Sequence, residues 1–189
     1  MYLNCTTEES AKRQRQFELL LLEKMKIKQY SQITVRQLCE EVGISRNAFY
    51  RYFDGKDDVL AALIDHTLLD YYKTQIDHPS SIDTYREQIK PFLSYWQSQK
   101  PLLDALQKNG LDGSLLERCM NHKMQRYFDK AHYPLLGTGD GRYQVLMFAV
   151  NGVFSLILNW HHSGYRQSID EMSEILERIM LKPIVSFSK

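Results

Sequence analysis

The feature that most constrains this chain is the junction Gly43-Ile44-Ser45 between two short amphipathic segments. Upstream, Thr34 offers a side-chain cap, with Gln37 three residues on as its reciprocal partner. Val35, Leu38 and Val42 then recur at helical spacing. Gly43 stands where a left-handed residue costs least, and Ser45 is a second N-cap. Residues 34–53 therefore spell helix, tight turn, helix, with a break at Asp54-Gly55.

The second of these helices carries SRNAFYRYF, a run both aromatic and basic. At about 100° per residue, Ala48, Phe49, Tyr52 and Phe53 fall toward one side. Arg46, Asn47, Tyr50 and Arg51 fall on the other. Phe49 and Phe53 are expected in the core. The opposite face suits a major groove, where arginine pairs with guanine and asparagine with adenine through two hydrogen bonds. Lys56 and the first amides of the next helix are expected to hold a phosphate. Thr34 and Arg36 are placed to clamp the backbone or reach a base. A solvated basic face is the plain alternative, and the helix-turn-helix context weighs against it.

The rest of the chain is helical by periodicity, which makes the fold all-α. A first helix is expected from about Thr6, using the box Thr6-Thr7-Glu8-Glu9. A long one follows from Lys56 to about Ile76. Further helices are expected at 82–98, 101–108, 113–132, 140–163 and 169–182, nine in all. Pro91 should kink or split its helix. Ser168 to Glu171 is a capping box for the last one. Asn109-Gly110 reads as a turn between helices rather than a hairpin. The composition break at 77–81 is a candidate boundary.

With formal net charge +1, any nucleic-acid partner must be met by a local patch. The N-terminal residues have no apolar signal core. The apolar run 145–160 is short of a bilayer span and reads as a buried helix. Cys5, Cys39 and Cys119 are odd in number and far apart, so neither a disulfide framework nor a zinc site is expected. These features together suggest a cytoplasmic protein without metal or cofactor.

The run ITVRQLCEEVGISRNAFYRYFDGKDDVL, residues 33–60, resembles the N-terminal signature of TetR-family transcriptional regulators. The matching features are the Thr-Val opening, the Gly-Ile-Ser turn, the Phe-Tyr-x-Tyr-Phe aromatics and the lysine after them. The resemblance implies an all-helical homodimer. Residues 1–55 would form a helix-turn-helix DNA-binding domain, and 56–189 a helical regulatory and dimerisation body. Family DNA contacts carried over by position fall on Thr34, Arg36, Ser45, Arg46, Asn47, Tyr50, Tyr52 and Lys56. The first helix departs from the family, which often has an Ala-rich segment and a glycine before the threonine; here it reads LLLLEKMKIKQYSQ.

The segment NGVFSLILNWHHSGYRQSIDEMSEIL resembles a subgroup, one branch of which regulates dihydroxyacetone kinase operons. Some members of that branch act with a partner protein. In the family the last two helices pack on their symmetry mates as a four-helix bundle. Here Val145, Phe148, Gly152, Leu156, Ile175 and Ile179 supply the apolar stripes.

No nucleophile elbow, phosphate loop or zinc-protease pair is present, so no catalytic residue is expected. His66 and Asp70 read as a surface pair. The body is rich in aromatics, including Tyr71, Tyr95, Tyr127, Phe128 and Trp160. His66, Phe92, Trp96, Phe148 and Asn151 are the candidate ligand-binding residues, against the plain reading of ordinary core. Cys39 is expected to pack, since no basic neighbour is visible. The expected function is that of a repressor released by a small effector in the body. The alternative is a coactivator that binds DNA and a partner sensor protein.

Overall fold

The structure, a computed structural model, describes residues 7–74, 82–129 and 141–181. Cys5, Thr6, the break at 77–81 and the side chains of Tyr127 and Phe128 lie outside the described residues. Among those described there is no strand. In chain order come α1 (Glu8–Ile27), a 3-10 turn (Tyr30–Gln32), α2 (Val35–Val42), α3 (Arg46–Phe49) and α4 (Lys56–Thr74). Then follow α5 (Ile82–Ser98), α6 (Lys100–Lys108), α7 (Asp112–Asp129), α8 (Arg142–His162) and α9 (Ile169–Leu181).

Several ends sit where side chains dictate them. The cap of α1 is Thr7, one residue later than expected, accepting from Ser10 N–H at 3.2 Å. At α9 the Ser168–Glu171 box is complete, with Ser168 N–H donating to Glu171 Oε2 at 2.8 Å. Those bonds hold the Glu171 carboxyl below its usual range. Pro91 does not split α5, which continues to Ser98. Its exposed position leaves the carbonyl one turn back to water rather than in the core.

The described chain forms two compact units. One holds residues up to Leu69 together with Pro101–Arg118; the other holds Asp70–Lys100 and residues from Cys119 on. The division by compactness thus falls within α4, after the first residue of α6 and within α7. It differs from the partition between residues 55 and 56 that the sequence led us to expect.

The first unit is built on Phe17, Leu21, Met25, Leu38, Phe49 and Phe53, all buried. Glu18 is fully buried and is met by Arg15 Nη1 at 2.7 Å and by His66 Nδ1 at 2.7 Å. His66 therefore pairs with Glu18 on α1, whereas Asp70 takes Lys73. Asp65 is buried and receives both arms of Arg118 on α7, with Nε 2.6 Å from Oδ1. Such a two-point pair offsets the cost of burying the carboxylate.

In the second unit α5 packs on α8 and α9. Trp96, fully buried, meets Phe154 edge-on at 5.0 Å, and Phe92 lies 5.4 Å from Tyr71 and 6.0 Å from Phe154. One side of α8 stays uncovered within a single chain: Val145 and Phe148 are exposed, Phe148 by 64%. Helix Tyr143–His162 is long and apolar enough to cross a membrane by length and composition, so the run is longer and less buried than expected.

Candidate nucleic-acid interface

The α2–turn–α3 geometry follows the sequence cues closely. Thr34 Oγ1 accepts from Gln37 N–H at 3.3 Å, and Gln37 Oε1 accepts from Thr34 N–H at 3.2 Å. Gly43 is left-handed, with φ 76°, and its N–H and that of Ile44 both close onto the Cys39 carbonyl. Ser45 Oγ caps α3 by accepting from Ala48 N–H at 3.1 Å. α3 is shorter than expected, because Arg51 and Tyr52 N–H groups bond three residues back and tighten the last turn. Phe53 N–H still reaches the Phe49 carbonyl at 3.2 Å, so both rings keep one side.

That side is core: Phe49 is 0% and Phe53 1% exposed, and Phe49 meets Phe17 edge-on at 5.1 Å. Tyr50 is 53% exposed. Ser45, Arg46, Asn47 and Arg51 are exposed with it, while Tyr52 is half-buried beside Phe53. Arg46, Asn47 and Arg51 make no side-chain hydrogen bond or ion pair among the described residues. Thr34 and Arg36 are also exposed, and Arg36 Nε bonds Glu40 Oε1 at 2.7 Å. That carboxylate pushes the Arg36 guanidinium further toward the charged form.

Two open hollows flank α3. One, of about 350 Å³, is lined by Arg36, Cys39, Glu40, Ile44 and Arg46. The other, of about 340 Å³, is lined by Thr7, Glu9, Ser10, Arg13, Ile44, Ala48, Arg51 and Tyr52. Cys39 does have a basic neighbour in Arg46, contrary to expectation. Burial outweighs it and pushes the thiol up, which leaves Cys39 a packing residue.

Lys56 departs from its expected role. Its ammonium donates to the carbonyls of Tyr30 at 2.7 Å and Ile33 at 3.1 Å, and lies 4.3 Å from the Tyr30 ring centre. Two of its three N–H donors are thus spent within the chain. The first turn of α4 also carries Asp57 and Asp58, which take Tyr30 Oη–H and Asp54 N–H. Carboxylates already answer the positive end of that helix, so it is a poor phosphate seat. Sequence reasoning missed this because Tyr30 and Ile33 lie more than twenty residues away.

The candidate ligand residues do not form one set. His66 belongs to the first unit and is held by Glu18. Phe92 and Trp96 sit in the aromatic cluster of the second unit. Phe148 and Asn151 are exposed on α8, and Asn151 Nδ2 bonds back to the Met147 carbonyl at 2.9 Å. Exposure takes these two out of any internal pocket formed by one chain. No group of three metal-ligating side chains converges among the described residues.

The family described as "Bacterial regulatory proteins, tetR family" matches residues 28–63. No curated protein matches the chain. Among solved structures, Lin0861 from Listeria innocua is similar in fold, with TM-score 0.67 and 16% identity over 94% of this chain and 93% of that one. The matched segment covers the 3-10 turn, α2, α3 and the start of α4, where Thr34, Gly43 and Ser45 set the geometry. Over that segment the chain matches the helix-turn-helix module of bacterial regulatory proteins of the tetR family, which supports a DNA-binding regulator.

Proposed function

We propose that the chain is a repressor that binds an inverted-repeat operator as a homodimer and is released by a small effector held in the second unit. The observation that carries the DNA reading is the exposed face of Arg46, Asn47, Tyr50 and Arg51, whose arginines have no partner among the described residues. Long donors left unsatisfied on a short helix, above a sealed aromatic core, suit base edges and phosphates. Ser45, Thr34, Arg36 and Tyr52 complete the proposed contact set, with Lys56 as fastener. Each subunit would present α3 to one of two successive major grooves, about 34–36 Å apart.

Dimerisation through α8 and α9 is supported by the uncovered Val145 and Phe148 and the small Gly152 and Ser155 on the same helix. An effector site is supported by Trp96: its indole N–H is buried and has no hydrogen-bond partner among the described residues. An apolar ligand with an acceptor atom would satisfy that donor. The exposure of Phe148 and Asn151 favours a second reading, in which a partner sensor protein rather than a small molecule meets the body.

The DNA reading is tested by titrating a labelled mixed-sequence duplex at rising salt. Six or more phosphate contacts predict an affinity loss of about a thousandfold between roughly 50 and 200 mM. Absent binding at low salt, or affinity indifferent to salt, contradicts the proposal.

A further inference from the structure

The turn Asn109-Gly110 ends α6, and Gly110 takes the left-handed conformation, φ 66°. A turn needs no more than that, yet the Asn109 amide is fully engaged. Its Oδ1 accepts from Tyr30 N–H at 2.6 Å. Its Nδ2 donates to the carbonyls of Ala105 at 2.7 Å and Met25 at 3.3 Å. Beside it, Lys108 Nζ donates to the Lys26 carbonyl at 2.6 Å. The carbonyls of Met25 and Lys26 belong to the last turn of α1, which has no helical partners for them. The Tyr30 N–H opens the 3-10 turn and is an orphan donor for the same reason. The end of α6 therefore caps the corner between α1 and the 3-10 turn.

Tyr30 passes this constraint on. Its ring lies under the Lys56 ammonium, its carbonyl accepts from that ammonium, and its hydroxyl donates to Asp57. Lys56 in turn holds the carbonyl of Ile33, the residue before the Thr34 cap of α2. Three side chains thus connect the end of α6 to the first turn of α2, where Thr34 and Arg36 stand exposed.

We propose that Asn109 is a positioning residue for DNA binding, setting the start of α2 through Tyr30 and Lys56. The inference rests on the DNA reading proposed above. Asn109→Ala removes all three bonds. Asn109→Asp keeps an acceptor for Tyr30 N–H and loses both donors. Both variants and the wild type are compared as full chains, by amide hydrogen exchange without DNA and by affinity for one duplex across a salt series. In Asn109→Ala, exchange at Tyr30, Thr34 and Gln37 should quicken about tenfold, while Phe49 stays protected. Its affinity should fall about tenfold at every salt concentration with an unchanged salt slope, since no phosphate contact is removed. Asn109→Asp sets a carboxylate oxygen against the carbonyls of Ala105 and Met25 but keeps the acceptor for Tyr30 N–H, so exchange at Tyr30 should quicken less than in Asn109→Ala.

Exchange at Thr34 and Gln37 that matches wild type in Asn109→Ala, with wild-type binding intact, overturns the role of Asn109 alone. So does an Asn109→Asp variant in which exchange at Tyr30 quickens as much as in Asn109→Ala. A wild-type chain that binds no duplex overturns the DNA reading and this role with it.

Discussion

Phe49 and Tyr50 are adjacent in sequence and opposite in consequence. Phe49 is fully buried, with ring contacts to Phe17 at 5.1 Å and Phe53 at 5.3 Å. Removing a buried phenylalanine forfeits transfer free energy and leaves a cavity, about 3–5 kcal/mol together. With the edge-on pairing to Phe17 the cost should reach at least the middle of that range, about 4 kcal/mol. For a chain of this size that lowers the melting temperature by about 8–16 °C. Tyr50→Ala removes a ring that is 53% exposed and meets Phe49 edge-on at 5.5 Å, and should cost about 1 kcal/mol or less. Thermal and urea unfolding followed by circular dichroism measures both. A loss below about 1 kcal/mol in Phe49→Ala, or equal losses in the two variants, refutes the division of this run into core and reading faces.

Tyr30 gives a prediction in pH. Burial first, then the hydrogen bond to Asp57 and its charge, push the phenol well above its usual 10.0. A raised folded value means that the contribution is whole below pH 10 and is lost as pH climbs toward the folded value. Wild type should therefore lose stability above pH 10 faster than Tyr30→Phe in urea titrations, and parallel curves would contradict the assignment. On α8, Phe148→Glu places a charge on a side chain that is already 64% exposed. It should leave the fold intact and convert a dimer to a monomer in sedimentation; a variant that stays dimeric removes α8 from the proposed interface.

The helix-turn-helix was legible because its cues are local. Thr34, Gly43 and Ser45 each fix a backbone choice within three residues, and Phe49 and Phe53 share a side whether the last turn is α or 3-10. The length of α3 was not legible, since the tightening at Arg51 and Tyr52 leaves the apolar spacing unchanged. Lys56 misled for a different reason. A lysine at a helix start resembles a phosphate ligand until its partners Tyr30 and Ile33 are known, and those depend on how α1 and α4 meet. Asn109 is the same case across 79 residues. In α8 apolar residues occur all round the helix, so periodicity could not say which side the single chain leaves uncovered.

The central claim is that α3 reads DNA sequence through Arg46. The most direct test is selection of bound duplexes from a random pool, with wild type and Arg46→Ala in parallel. The account predicts that wild type enriches an inverted repeat, and that Arg46→Ala blurs particular bases in both half-sites by about 1–3 kcal/mol of discrimination. Enrichment of the same sequence with the same sharpness by both proteins, or of no sequence by wild type, would contradict it.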